Sequence, residues 1–217
     1  MEANRDLWAG VRAALPVVLP TLALGVSFGV LARPVMGALG PIVMSVLVFS
    51  GGAQFAALSV LQAGGTAAAA ISAGLLMNAR WLPMSFALAP SLSGSVLRRS
   101  AQAQAIVDAS FVLANRGDGT FDRGRLIGAT LAQASAWVAG TAIGVLGSGT
   151  VPDPDAFGLD AIFPAFYLTL LLGELDGGRV YATVAVAAAI TLALMSVSPP
   201  GVPVIAAAAA ALLGLRR

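Results

Sequence analysis

Apolar residues in this chain run in blocks long enough to cross a bilayer, with charge, Pro and Gly gathered between the blocks or at sharp interruptions within them. A crossing helix needs about 20 mainly apolar residues. The blocks at 13–32, 40–62, 66–90, 126–148, 159–174, 179–197 and 200–215 meet or approach that length. The pattern predicts an all-α integral membrane protein with about seven transmembrane helices, six to eight being the range, some of them broken or re-entrant. The range comes from AQAQAIVDASFVLAN (101–115), a moderately apolar segment that reads as a re-entrant or interfacial helix or as half of a broken span. Apolar blocks continue throughout, so residues 1–217 read as a single transmembrane domain.

Three interruptions stand out. Pro removes a backbone donor and crowds the preceding turn, and backbone freed inside a membrane must face protein or a watery cavity. In ALPVVLPTLALGVSFGVLA, Pro16 and Pro20 are candidates for a helix break or a simple kink. In VFSGGAQFAALS, Ser50, Gly51, Gly52 and Gln54 interrupt an apolar run near its middle; each Gly lowers helix propensity by about 1 kcal/mol relative to Ala. They line a solute path or hold a close helix crossing through an amide hydrogen bond. In MNARWLP, Arg80 ends a stretch of 46 residues, 34–79, that contains no Asp, Glu, Lys or Arg. Asn78 and Arg80 are two apart, so joint use needs a break there, and Pro83 favours one. Three readings of Arg80 stay open: a membrane-edge anchor, an ion pair with Asp108, or a bidentate receptor for a ligand carboxylate.

Asp108, in AIVDASF, and Asp160, in FGLDAIFPAF, are candidates for coupling or ion pairing. Asp108 also reads as an interfacial acid and Asp160 as a helix cap, with Pro164 marking another irregular span. Gly25 and Gly29, and Gly140 and Gly144, stand four apart and permit close helix packing or a subunit contact.

Composition narrows the function classes. The chain is 58% hydrophobic and 10% charged, with a mean hydropathy of +0.89, whereas soluble domains carry about 25% charged residues. The lipid bilayer is its expected solvent. A net charge of +2 and thinly spread Arg argue against nucleic acid. With no Cys and no His, thiolate and imidazole chemistry are excluded, and any protein-borne proton step must use a carboxylate. No nucleophile, metal or nucleotide-binding arrangement points to an enzyme or a cofactor. No removable signal peptide is read at the N-terminus.

Arginine placement gives an expected orientation. Putting 33–39, 91–125 and the C-terminus in the cytoplasm assigns that side Arg33, Arg98, Arg99, Arg116, Arg123, Arg125, Arg179, Arg216 and Arg217. The other side receives Arg5 and Arg12 with Asp153 and Asp155, so the N-terminus is expected outside. This inverts if 101–115 crosses.

Five segments in order, VRAALPVVLPTLALGVSFGVLA, VFSGGAQFAALSVLQAG, ISAGLLMNARWLP, IVDASF and GLDAIFPAFYLTLL, resemble the large subunit of the AzlC-like branched-chain amino acid exporters. The resemblance runs along nearly all of the chain. It implies a multi-pass bacterial inner-membrane transporter that exports branched-chain or related amino acids with a small AzlD-like membrane subunit. It also implies importance for Gly51, Gly52, Gln54, Asn78, Arg80, Asp108, Asp160 and Pro164. Two positions depart from the family pattern: Trp81 stands where His is common, and Ala109 where a second acid often follows. Ion or proton coupling, by proton or sodium, is expected rather than ATP hydrolysis. A membrane assembly subunit that packs a partner is the competing reading.

Overall fold

A computed structural model describes residues 2–150, 177–198 and 202–210, together with 165, 168, 171, 172 and 175. Asp153, Asp155, Asp160 and Pro164 lie outside the described residues. The described secondary structure is helical: α1 (Glu2–Met36), α2 (Gly40–Leu47), α3 (Gly51–Gln62), α4 (Ala67–Asn78), α5 (Trp81–Leu88), α6 (Val96–Ala103), α7 (Asp108–Ala114), α8 (Arg123–Gly147), α9 (Gly178–Leu194) and α10 (Val202–Ala208). Two of these, α1 and α8, are long and apolar enough to cross a membrane by themselves. The chain forms two compact units, one of Met1–Ser50 and Trp81–Pro154, the other of Gly51–Arg80 and Asp155–Arg217.

The first unit is built on α1 against α8. Leu7 meets Gly128, Leu22 meets Gly140, and Val26 meets Gly144. Positions therefore rise together along both helices, and the pair is parallel. Small residues let the two backbones approach: a Cβ on Gly25 would stand 2.6 Å from the Trp137 carbonyl oxygen, and one on Gly144 would stand 3.0 Å from the Val30 nitrogen. The paired glycines thus serve packing within this chain. At 35 residues, α1 is about 52 Å long, so it extends beyond a hydrocarbon core of about 30 Å.

Pro16 and Pro20 both lie inside α1, which runs on through them, so of the two readings, a break or a simple kink, there is no break. Both prolines are exposed, and the adjoining Thr21 hydroxyl donates to the Val17 carbonyl at 2.7 Å. Neighbouring helices and hydroxyls commonly support proline this way in membranes.

Hydrogen bonds pin α2 to the upper half of α8. Trp137 Nε1 donates to Ser45 Oγ at 3.1 Å, Ser45 Oγ pairs with Thr141 Oγ1 at 2.9 Å, and Trp137 stacks on Phe28. All of these polar groups are buried. The other end of the unit holds a core of Leu88, Ile106, Ala114, Phe121 and Leu126. The chain leaves this unit after α2, which starts beside the end of α1, and returns on α5, which ends beside the start of α8. Gly40 and Leu88 therefore stand at opposite ends of the unit.

The 101–115 segment divides into α6 and α7. The irregular backbone between them is satisfied inside the unit: Ala105 O accepts from Ser110 Oγ at 2.7 Å and from Thr130 Oγ1 at 2.6 Å. A tight loop, 115–122, then precedes α8. In it Asp118 accepts from the Thr120 backbone and hydroxyl, while Asp122 caps α8 by accepting from Arg125 N at 3.0 Å.

In the second unit, α3 and α4 form a hairpin turning through Gly64 and Gly65, with Thr66 capping α4. α9 and α10 pack on one another, and α10 touches α4.

Candidate functional site

Two of the three interruptions read from the sequence end helices. Following α2, the chain leaves helical geometry at Phe49 and Ser50 and resumes at Gly51. Phe49 has φ +40°, the sole positive φ among described non-glycine residues, a region that costs an L-residue about 1–2 kcal/mol. Similarly, α4 ends at Asn78 and α5 begins at Trp81, leaving Ala79 and Arg80 in a turn. Pro83 lies in the first turn of α5, where its missing N–H leaves no intrahelical bond unmade. It marks the restart rather than the break.

The hairpin brings the two interrupted motifs together. α3 begins where α4 ends, and the Arg80 guanidinium lies against Gly52. A Cβ on Gly52 would stand 3.0 Å from Arg80 Nη1, 3.1 Å from Nη2 and 3.3 Å from Met77 Cε. Arg80 Nη1 also donates to the Met77 carbonyl at 3.4 Å. Arg80 and Asn78 are half-buried, while Gln54, one turn into α3, is fully buried. Deeper in the hairpin a Cβ on Gly74 would rest 3.4 Å from the Ala53 carbonyl oxygen, an ordinary contact between closely crossing helices.

The chemistry of this end follows from helix direction. The first N–H groups of α3 and the last C=O groups of α4 lack intrahelical partners. Antiparallel pairing puts the partial positive charge of one beside the partial negative charge of the other. Arg80 adds a full positive charge at the donor end. Such an end presents donors to a carboxylate and acceptors to an ammonium within the reach of one small zwitterion.

Two other forecast residues belong to the first unit. Ser50 is buried and is the last residue of the first unit's opening segment. Asp108 is half-buried, the first residue of α7 in that same unit. Asp160 and Pro164 fall outside the described residues. The Trp81 indole N–H is buried with no acceptor among the described residues. Sequence reading missed the buried polar face of α8, Thr130, Gln133, Trp137 and Thr141. Its recurrence every three or four residues was the available signal. A cavity of about 430 Å³ on the hairpin, lined by Ser59, Val60, Ala69 and Ser72 among others, lies toward the turn and away from Arg80. No cluster of metal-ligating side chains occurs among the described residues.

Comparison with known proteins adds an independent line. A family model described as "AzlC protein" matches residues 16–151. The chain is 27% identical over 186 residues to "Branched-chain amino acid transport protein AzlC" of Bacillus subtilis (strain 168), covering 80% of this chain and 71% of that protein. It is 31% identical over 204 residues to an "Uncharacterized membrane protein" of Archaeoglobus fulgidus, covering 93% of this chain and 90% of that one. No solved structure matches. With a family model spanning both interrupted helices and α8, and a relative aligned along nearly the whole length, the chain belongs to the AzlC protein family of membrane transport proteins.

Proposed function

We propose that this chain is the large subunit of a two-component exporter of branched-chain or related hydrophobic amino acids, acting in the bacterial inner membrane with a small AzlD-like subunit. Residues 1–217 serve as one transport domain in this reading, and a proton or sodium ion drives export. The observation that carries it is the Arg80 guanidinium seated on Gly52 where α3 starts and α4 ends. Broken helices with opposed termini are a recurrent way for transporters to hold charged solutes at membrane depth. The substrate carboxylate takes Arg80 and the first N–H groups of α3; the ammonium takes the terminal carbonyls of α4, helped by Asn78. Gly51 and Gln54, on the same hairpin, line the approach. Asp108 and Asp160 are the coupling carboxylates of this scheme, since the chain has no His.

The parallel α1–α8 pair revises the orientation. Arg5 and Arg12 stand at the same end as Arg98, Arg99, Arg116, Arg123 and Arg125, because Gly10 meets Arg125 and Asp6 meets Gly124. Arg33 stands at the other end, donating to the Val145 carbonyl. In this reading the positive-inside rule puts the start of α1 in the cytoplasm, the reverse of the orientation expected from arginine placement over the hydropathy spans.

Counterflow of radiolabelled valine in proteoliposomes with the small subunit tests the function. Wild type exchanges, and Arg80→Ala at matched folded protein does not. Equal exchange in both would remove Arg80 from the path. Loss of complex in proportion to loss of transport would instead favour an assembly role.

A further inference from the structure

A cavity of about 470 Å³ in the first unit lies between α6 and the start of α8, apart from the Arg80 motif. Its walls include Ala101, Ala105, Ile127 and Leu131, and Arg98 and Arg123 are among the residues lining it. Arg123 donates to Ser93 Oγ. The acid nearest in sequence, Asp122, is already committed: it accepts from Arg116 at 2.8 Å and from the Arg125 backbone. Two cations share an open apolar-walled groove with no carboxylate among the residues lining it. Leu131 on its wall is 54% exposed, and beside it Val96 and Leu97 on α6 are 83% and 81% exposed. Apolar side chains so exposed beside arginines suit a helix lying in the membrane interface.

We propose that this cavity binds the headgroup of an anionic membrane phospholipid, the phosphate on Arg98 and Arg123 and the acyl chains along Leu97 and Leu131. The chemistry is a charge-assisted contact from guanidinium to phosphate, made at the end of the unit where arginines collect. Anionic lipid in the cytoplasmic leaflet is the matching source on the orientation proposed above, and basic pockets between helices on that side commonly take such headgroups. The site needs no transported solute.

The test reconstitutes the full chain in nanodiscs of equal phosphatidylglycerol and phosphatidylcholine, then counts lipids retained through gentle extraction by native mass spectrometry. Wild type is expected to retain the anionic lipid at least about fivefold over the zwitterionic one, a preference of about 1 kcal/mol. Arg98→Ala/Arg123→Ala abolishes the preference. Ala101→Trp, at an exposed position on the cavity wall, abolishes it by filling the space without changing charge. Arg5→Ala/Arg12→Ala removes as much charge elsewhere and keeps the preference. No preference in wild type, or equal losses in the Arg98/Arg123 and Arg5/Arg12 pairs, would overturn the proposal. Displacement of the lipid by millimolar inorganic phosphate would overturn it too, showing a soluble-anion site. None of these readouts depends on amino acid transport, so failure here leaves the Arg80 reading standing.

Discussion

Arg80 lays its guanidinium on Gly52, close enough that a methyl group there would stand 3.0 Å from Nη1. Only a hydrogen at that position leaves the charge against the opening turn of α3. The obstructed atoms belong to the far end of a flexible side chain, so Gly52→Ala can be absorbed by a small shift of Arg80. The Ala gains helix propensity of about 1 kcal/mol. Thermal stability is therefore expected to change by no more than about 1 kcal/mol. Valine counterflow is expected to drop at least about tenfold, as a displacement costing about 1.4 kcal/mol of binding would require. Full counterflow with a normal melt would show that the exact seat of Arg80 is immaterial.

Glycines on α8 face a different neighbour, and the same substitution has the opposite profile there. A Cβ on Gly144 would meet the Val26 carbonyl and stand 3.0 Å from the Val30 nitrogen; one on Gly140 would stand 3.1 Å from the Val26 nitrogen. Backbone of α1 cannot swing aside. Gly140→Ala or Gly144→Ala is expected to cost about 1–3 kcal/mol, as overpacking typically does, and to reduce folded protein in the membrane. Transport per folded molecule should be retained. Fluorescence-detected size exclusion, combined with counterflow normalised to the monodisperse peak, separates the two effects.

The contrast shows how much was legible in the sequence. SGG and NAR were recognisable because Gly and an isolated Arg are anomalous inside apolar helix, and both proved to be helix ends. The glycine pairs were recognisable by spacing, but nothing in the spacing says that their partners are each other. Pro16 and Pro20 read as a break or a simple kink, and ring sterics alone do not choose between the two; α1 runs on through both. Direction was the largest loss. A hydropathy window measures the length of an apolar run, not whether its two halves belong to one passage, and 40–62 and 66–90 are each divided between two compact units.

Trp81 carries a buried indole N–H without an acceptor among the described residues. An unsatisfied buried donor costs about 1–3 kcal/mol, and Trp81→Phe removes it while losing part of the ring volume, a cost of similar size. The expected net change in stability is within about 1 kcal/mol of zero. A clearly larger fall in melting temperature would place an acceptor against the indole in the working protein.

Asp122 links acidity to the integrity of the loop before α8. Burial pushes its carboxyl up, but the Arg125 N–H, and the hydrogen bond and charge of Arg116, together outweigh burial and hold it below the ordinary value of 3.8. A carboxyl depressed on folding gives stability that is present above the unfolded value and is lost as pH falls through the folded one. The wild-type melting temperature should therefore hold at neutral pH and fall below pH 3.8. Asp122→Asn, which keeps a capping oxygen, should show a smaller fall over the same range. Asp122→Ala should lose about 1 kcal/mol at neutral pH through the missing cap. Identical acid profiles for wild type and Asp122→Asn would remove Asp122 as the source.

Because the chain has no Cys, single cysteines can report its orientation directly. Parallel packing requires Arg5, at the start of α1, and Asp118, in the loop before α8, to face the same compartment, whatever the number of crossings between them. Leu39, 75% exposed just past the end of α1, must face the opposite one. On the orientation proposed above, the shared compartment is the cytoplasm. With a membrane-impermeant maleimide on intact spheroplasts, Leu39→Cys is expected to label at once, whereas Arg5→Cys and Asp118→Cys label only after permeabilisation. Labelling of the last two from outside, with Leu39→Cys protected, would keep the parallel pair and reverse the orientation. Labelling of Arg5→Cys and Asp118→Cys from opposite sides would break the pair itself.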